Sequence, residues 1–215
     1  MPGLPVVLCY GDSNTHGADP ATGNRFPLDV RWPGVLAGLL EGEARVIEEG
    51  LNGRTTVRDD PYSPGRNGLV YLVPCLDTHA PIDVVVIMLG TNDLKATFGL
   101  AASDIAAGAA TLVDAALLSG CGPDGGAPQV LLVAPPALGA PSDLMELWGF
   151  EGAHERNSAL PRLYRTAALN AGCAFLDAAA IVTADPADGV HLAADAHRTL
   201  AHAIAGAVRP LLPSR

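Results

Sequence analysis

Short apolar runs rich in β-branched residues alternate with longer stretches rich in Ala and Leu along this chain of 215 residues. Strands this short and this continuously apolar are typical of a parallel sheet buried on both faces, and the longer stretches suit crossover helices. Five strands are predicted, at residues 6–10, 44–48, 83–89, 129–134 and 174–176. The pattern therefore predicts an α/β fold, a three-layer α/β/α sandwich around a parallel five-stranded sheet.

Helices are predicted between these strands. The first covers 31–40, with Pro33 in its opening turn, and another follows Ser103, which we expect to act as its N-cap, to residue 118. A closing helix is predicted over 195–208. The stretch 67–79 has a helical pattern, but Pro74 lacks a donor and predicts a kink or break there.

Two loops and one insertion are long enough to carry function. The loops are 18–29 and 59–66, and the insertion, at about 135–157, carries a cluster of large apolar residues. The insertion is a lid, an oligomer contact or a helix packed on the core. The length suits a single domain over 1–215 that includes this insertion.

Composition excludes several classes of partner. The formal net charge is −10 and no segment concentrates Lys or Arg, so neither nucleic acid nor an anionic membrane is an expected partner. The run 82–89 is far shorter than a membrane span, and no export signal is recognised, so a cytoplasmic location is expected. The four cysteines are widely separated and lack zinc spacing, which predicts free thiols and no metal site.

A Gly-Asp-Ser turn directly follows the first predicted strand and ends in Ser13. Ligands of open parallel sheets gather at the carboxyl ends of the strands, so Ser13 stands where a reacting group is expected. An ordinary turn, in which Asp12 or Ser13 caps a helix, explains the tripeptide equally well.

A serine nucleophile needs a base and an acid that orients it, and both occur near the end of the chain. Asp188 and His191 lie three residues apart before the last helix, and Gly189 between them lets the backbone bend. Asp188 is expected to hold one ring nitrogen while the other faces Ser13. Taken alone, this spacing is common and carries little weight.

Two further turns follow predicted strands in the same way. Asn92, in a Gly-Thr-Asn-Asp turn after the third strand, offers a carboxamide donor for an oxyanion, and Gly53 follows the second strand. Each has a plainer explanation as a turn residue.

Together these blocks resemble those of the SGNH hydrolases, the superfamily of GDSL esterases. The matching segments are Gly-Asp-Ser at 11–13, the glycine at 53, Gly-Thr-Asn-Asp at 90–93 and Asp-Gly-Val-His at 188–191. Segments 29–36, 46–56 and 87–96 are similar to the bacterial arylesterase, acyltransferase and perhydrolase subgroup, so the resemblance covers almost the whole chain.

The resemblance implies the SGNH hydrolase fold, with its five-stranded sheet in the flavodoxin-like order. It also implies a serine esterase for short-chain acyl esters, acetyl esters above all, that needs no metal and no organic cofactor. It implies Ser13 as nucleophile, His191 as base and acid, and Asp188 as the orienting residue, with the N–H groups of Ser13 and Gly53 and the Asn92 side chain as oxyanion hole. Four neighbouring residues are predicted to contact the small ester substrate: Asp12, His16, Arg54 and Thr91. A homo-oligomer, in the form of a dimer-based octamer, is also implied, with the insertion at 135–157 as its contact surface.

The chain departs from the subgroup just after the serine. The subgroup favours bulky apolar and aromatic residues at positions where this chain has Asn14, His16 and Ala18. This difference predicts a more polar entrance to the active site that holds water more readily. It therefore favours hydrolysis over acyl transfer to alcohols or peroxide. The alternatives within the superfamily are a carbohydrate acetylesterase, a lysophospholipase and a thioesterase. A non-catalytic flavodoxin-like module that binds a small ligand is the alternative from another class.

Overall fold

The computed structural model describes residues 3–213, so the predicted domain over 1–215 extends at each end beyond the described residues. One parallel sheet contains five strands in the order β2-β1-β3-β4-β5. The strands are β1 (Val6–Gly11), β2 (Arg45–Gly50), β3 (Val84–Met88), β4 (Gln129–Ala134) and β5 (Ala174–Asp177). This is the flavodoxin-like order, so the predicted fold class is confirmed.

Seven α-helices lie between or after the strands in the described part of the chain. They are α1 (Ser13–His16), α2 (Trp32–Leu39), α3 (Gly68–His79), α4 (Ala102–Leu117), α5 (Asp143–Leu147), α6 (Ala153–Ala171) and α7 (Ala194–Val208). Within residues 3–213, no helix combines the length and apolar character needed to cross a membrane.

The helices cover both faces of the sheet because the side chains of each strand alternate between them. On β1, Leu8 and Tyr10 pack into the layer that includes buried residues of α3, α4 and α6, while Val7 and Cys9 face the layer of α2 and α7. Burial on two faces explains why the strands read as continuous apolar runs. The four cysteines are free, as predicted, and only Cys173 is half-buried.

Two local predictions were wrong. Ser103 does not cap α4, because the helix begins at Ala102 and Ser103 already lies inside its first turn. At this end of the helix, the Asp104 carboxylate accepts the N–H of Ala101 at 3.0 Å. Helix α3 is continuous across Pro74. Because Pro74 has no N–H, the carbonyl of Val70 lacks its usual donor within the helix. Val70 is 69% exposed, so water can donate to that carbonyl instead.

Candidate active site

Ser13 lies at the carboxyl edge of the sheet, two residues after the end of β1. It opens the single turn of α1, and Asp12 caps that turn by accepting the N–H of Asn14 at 2.9 Å. Asp12 and Ser13 are both almost fully buried. The strand end and the cap together fix where the Ser13 hydroxyl points.

Ser13, His191 and Asp188 form one chain of hydrogen bonds. The Ser13 Oγ is 2.9 Å from His191 Nε2, and His191 Nδ1 is 2.6 Å from Asp188 Oδ2. With Nδ1–H donating to the carboxylate, Nε2 is left to accept the serine proton. Chemically, this arrangement can turn a serine hydroxyl into a nucleophile.

The loop that carries His191 folds around the Asp188 carboxylate. Asp188 Oδ1 accepts the N–H groups of Val190 and His191, both at 2.8 Å. Burial raises the pKa of Asp188, but these bonds and the bond from the His191 ring outweigh it, so the pKa lies below its usual value. Gly189 has φ +78°, and a Cβ there would collide with the Met145 sulfur, so the tight bend predicted at this glycine is present.

Asn14 joins the serine turn to the histidine loop. Its Nδ2 donates to the carbonyl of Val190 at 3.2 Å, and its Oδ1 accepts the N–H of Leu192 at 3.0 Å. These two bonds hold the residues on either side of His191. Asn14 is therefore a buried residue that connects the two segments. The prediction that it makes the entrance to the active site more polar was wrong.

The turn after β2 lies across the crevice from the histidine loop and is held by Arg54. The Arg54 guanidinium donates to the carbonyl of Gly11 at 2.9 Å and to that of Glu49. The carbonyl of Arg54 in turn accepts from Asn92 Nδ2 at 3.0 Å. These bonds bring Gly53 and Asn92 to one side of the crevice that Ser13 faces.

Two buried carboxyl groups support this region. Burial raises the pKa of Asp93 to about 6, against the opposing effect of its bonds with the backbone and hydroxyl of Thr56. Burial likewise raises the pKa of Asp12 to about 6, while the N–H of Asn14 and the charge of His191 lower it. Burial therefore favours the neutral form of both carboxyls.

A crevice of about 470 Å³ opens above Ser13. The predicted loop 18–29 forms one wall through residues 18–23, and the insertion forms another through Leu144, Trp148 and Phe150. The Trp148 ring meets the His191 ring edge to face, with centroids 5.7 Å apart. The structure shows the insertion as a wall of the crevice that is also packed on the core through Met145 and Phe150.

Sequence reasoning did not identify Lys95 or Trp148 individually. Lys95 lines the crevice two residues after the Gly-Thr-Asn-Asp block, and burial lowers its pKa against the raising effect of Asp60. Its position close to that block was the one available signal. Trp148 was noticed only as a member of an apolar cluster, because nothing local places it over His191.

The four residues predicted to contact substrate lie outside the lining of the crevice formed by the described residues. Asp12, Arg54 and Thr91 are buried behind it, where they hold the turns in place. His16 is half-buried, and its carbonyl accepts from Arg25. Asp12, Arg54 and Thr91 lie within or beside the motif blocks, but their buried side chains belong to the structure that supports the crevice.

The comparisons with known proteins agree with this fold and crevice. Residues 9–199 match the model of the GDSL-like lipase/acylhydrolase family. An aryl esterase from M. smegmatis is 43% identical, with 97% of this chain and 100% of that chain covered and a TM-score of 0.92. Est24, a carbohydrate acetylesterase from Sinorhizobium meliloti, is 40% identical, with the same coverage and TM-score.

A more distant structure has the same fold. The lipase/acylhydrolase from Enterococcus faecalis is 19% identical over 99% of each chain, with a TM-score of 0.71. No curated protein gave a significant match.

Fold and crevice together define a hydrolase of the SGNH superfamily, in agreement with the similarity to the aryl esterase and to Est24. The chain belongs to the GDSL-like lipase/acylhydrolase family.

Proposed function

We propose that the protein is a serine esterase that hydrolyses short-chain acyl esters, acetyl esters above all. The observation that carries the proposal is the Ser13–His191–Asp188 chain of hydrogen bonds at the floor of an open crevice. The aryl esterase and the carbohydrate acetylesterase that it resembles support the substrate class.

The reaction has two acyl-transfer steps. The Ser13 Oγ attacks the ester carbonyl while His191 Nε2 takes its proton, and the same proton then passes to the leaving alcohol. Water, activated by His191, attacks the acyl group on Ser13 and releases the acid. Asp188 keeps the ring in the required tautomer and stabilises the imidazolium.

The negative oxygen that forms in each step needs donors on the opposite side. The N–H groups of Ser13 and Gly53 and the Asn92 carboxamide are the donors we assign to it. The carboxamide has two hydrogens, so Asn92 can bond the Arg54 carbonyl with one and the oxyanion with the other.

The test is hydrolysis of p-nitrophenyl acetate, butyrate and octanoate by the wild type and by Ser13→Ala. Activity that falls with chain length and is lost in the variant supports the proposal. Ser158→Ala, at an exposed position of α6, is the matched control and should retain full activity. A folded wild type that is inactive on all three esters would favour the ligand-binding alternative, and a preference for octanoate would favour a lysophospholipase.

A carbohydrate acetylesterase is the second candidate. Its support is the similarity to Est24 together with polar side chains along the crevice, including Asp19, Asn52 and Lys95. Acetate release from peracetylated glucose at a higher kcat/KM than from p-nitrophenyl acetate would select this function. The same pair of assays with added alcohol measures how much acyl group is transferred instead of hydrolysed.

We also propose a homo-oligomer, with the dimer-based octamer as the form to test. Helix α5 of the insertion presents Leu147, which is 77% exposed, beside the partly exposed Trp148. Light scattering after size exclusion should give a multiple of the 22.0 kDa chain mass. A monomer at micromolar concentration would contradict this.

A further inference from the structure

Three side chains that ligate metals meet at the far side of β2, outside the crevice. They are Glu49, near the end of β2, and Cys75 and His79, which lie four residues apart on α3. Residues four apart on a helix share a face, so Cys75 and His79 both point towards Glu49. One carboxylate oxygen, one thiol sulfur and one ring nitrogen lie within 4.8 Å of one another.

We propose that Glu49, Cys75 and His79 bind one divalent metal ion of the zinc class, with water as the fourth ligand. Mixed oxygen, nitrogen and sulfur donors suit Zn²⁺ better than Mg²⁺ or Ca²⁺, which prefer oxygen alone. In a tetrahedral zinc site, neighbouring ligand atoms lie about 3.3–3.6 Å apart. Glu49 Oε1 and His79 Nε2 are 2.9 Å apart, so a small outward shift of either side chain admits the ion.

The exposure of the cluster fits three protein ligands and one water. Cys75 is 2% exposed, while the side chains of Glu49 and His79 are 19% and 30% exposed. The thiol therefore forms the inner side of the site, and the fourth position faces solvent.

Charge balance also favours a divalent ion. Binding displaces the proton of the Cys75 thiol to solvent, and the thiolate and the Glu49 carboxylate then balance the two charges of the ion. The nearby Arg54 guanidinium lies over the rings of Tyr10 and Tyr71 and donates to the backbone carbonyls of Gly11 and Glu49.

Sequence reasoning predicted no metal site because Glu49 belongs to a different element from Cys75 and His79. Only the packing of α3 beside β2 brings the three together. None of these three residues is among the described residues that line the crevice, so metal binding can be measured separately from esterase activity.

The experiment is a titration of the metal-free full chain with Co²⁺, which reports a thiolate ligand by charge-transfer absorption in the near ultraviolet. We expect one Co²⁺ per chain, one proton released per ion, and displacement of the signal by Zn²⁺. His79→Gln, a half-exposed position that spares the core, should weaken binding at least about tenfold. Cys75→Ser should abolish the charge-transfer band, whereas Cys173→Ser, at a half-buried thiol outside the cluster, should keep it.

A thermal readout covers the case in which Cys75→Ser fails to fold. Zn²⁺ should raise the Tm of the wild type, because a ligand that binds only the folded state stabilises it, and should raise that of His79→Gln much less. A wild type without a charge-transfer band at saturating Co²⁺ would overturn the proposal. Equal affinity of His79→Gln and the wild type would overturn it too.

Discussion

Replacing Asn92 with Ala tests the oxyanion assignment most sharply. The side chain donates to the Arg54 carbonyl at 3.0 Å and lines the crevice beside Ser13. Loss of one oxyanion donor costs about 10²–10³ in kcat, or about 2.7–4 kcal/mol. The hydrogen bond from Asn92 to the oxyanion stabilises a charge that exists only during the reaction. We therefore expect kcat to fall while KM changes little.

The same change has a cost in stability that must be separated from the catalytic effect. Asn92→Ala leaves the Arg54 carbonyl without this donor, which costs about 1–3 kcal/mol. For a chain of this size each kcal/mol lowers the Tm by about 2–4 °C, so a decrease of roughly 2–12 °C is expected. The variant should thus remain folded at 25 °C.

The assay is steady-state hydrolysis of p-nitrophenyl acetate, with circular dichroism to check folding. Asn170→Ala, at an exposed position of α6, is the matched control and should match the wild type in both kcat and Tm. A folded Asn92→Ala variant with unchanged kcat would refute the assignment. A rise in KM with unchanged kcat would assign Asn92 to substrate binding instead.

Three further predictions concern the hydrogen bond between Asp188 and His191, a buried carboxyl and a supporting hydrogen bond. Asp188→Asn should lower kcat on the order of 10⁴-fold, because the amide can favour the wrong tautomer of His191, and a decrease below tenfold in stopped-flow assays would contradict this. Burial raises the pKa of Asp93 to about 6, so the folded state binds more protons than the unfolded state between about pH 4 and pH 6, and stability falls as pH rises through that window. In urea unfolding across that pH range, the free energy of unfolding should decrease less steeply with pH for Asp93→Asn than for the wild type. Equal slopes for the two proteins would contradict this prediction. Tyr164→Phe removes a 2.8 Å bond to the buried carbonyl of Leu89 and should cost about 1–3 kcal/mol in the free energy of unfolding, whereas an unchanged value would show that the bond is dispensable.

The sheet could be predicted because its strands are buried on two faces. Strand β4 was predicted to the residue, and the other four strands to within two residues at each end, since apolar β-branched runs mark such strands directly. Helix ends were less accurate. The prediction that Ser103 caps α4 was wrong because Asp104, three residues after Ala101, accepts the Ala101 N–H at the start of this helix.

The motif blocks predicted which residues meet, but not what surrounds them. Ser13, Asp188 and His191 belong to segments that follow strands, and the shared edge of a parallel sheet brings such segments together. The walls of the crevice come from elsewhere. Trp148 reaches His191 only through the packing of the insertion, and Asn14 reaches the histidine loop only because α1 and that loop are neighbours in space.

The central claim is that Ser13 is the nucleophile, and covalent labelling tests it most directly. A p-nitrophenyl phosphonate, which mimics the tetrahedral intermediate, should add one phosphonyl group per chain and release one p-nitrophenol, and peptide mass spectrometry should place the group on Ser13. Labelling should be lost in Ser13→Ala, slowed strongly in His191→Ala and unchanged in Ser158→Ala. Full labelling of Ser13→Ala, or a label on any other residue of the active wild type, would contradict the account.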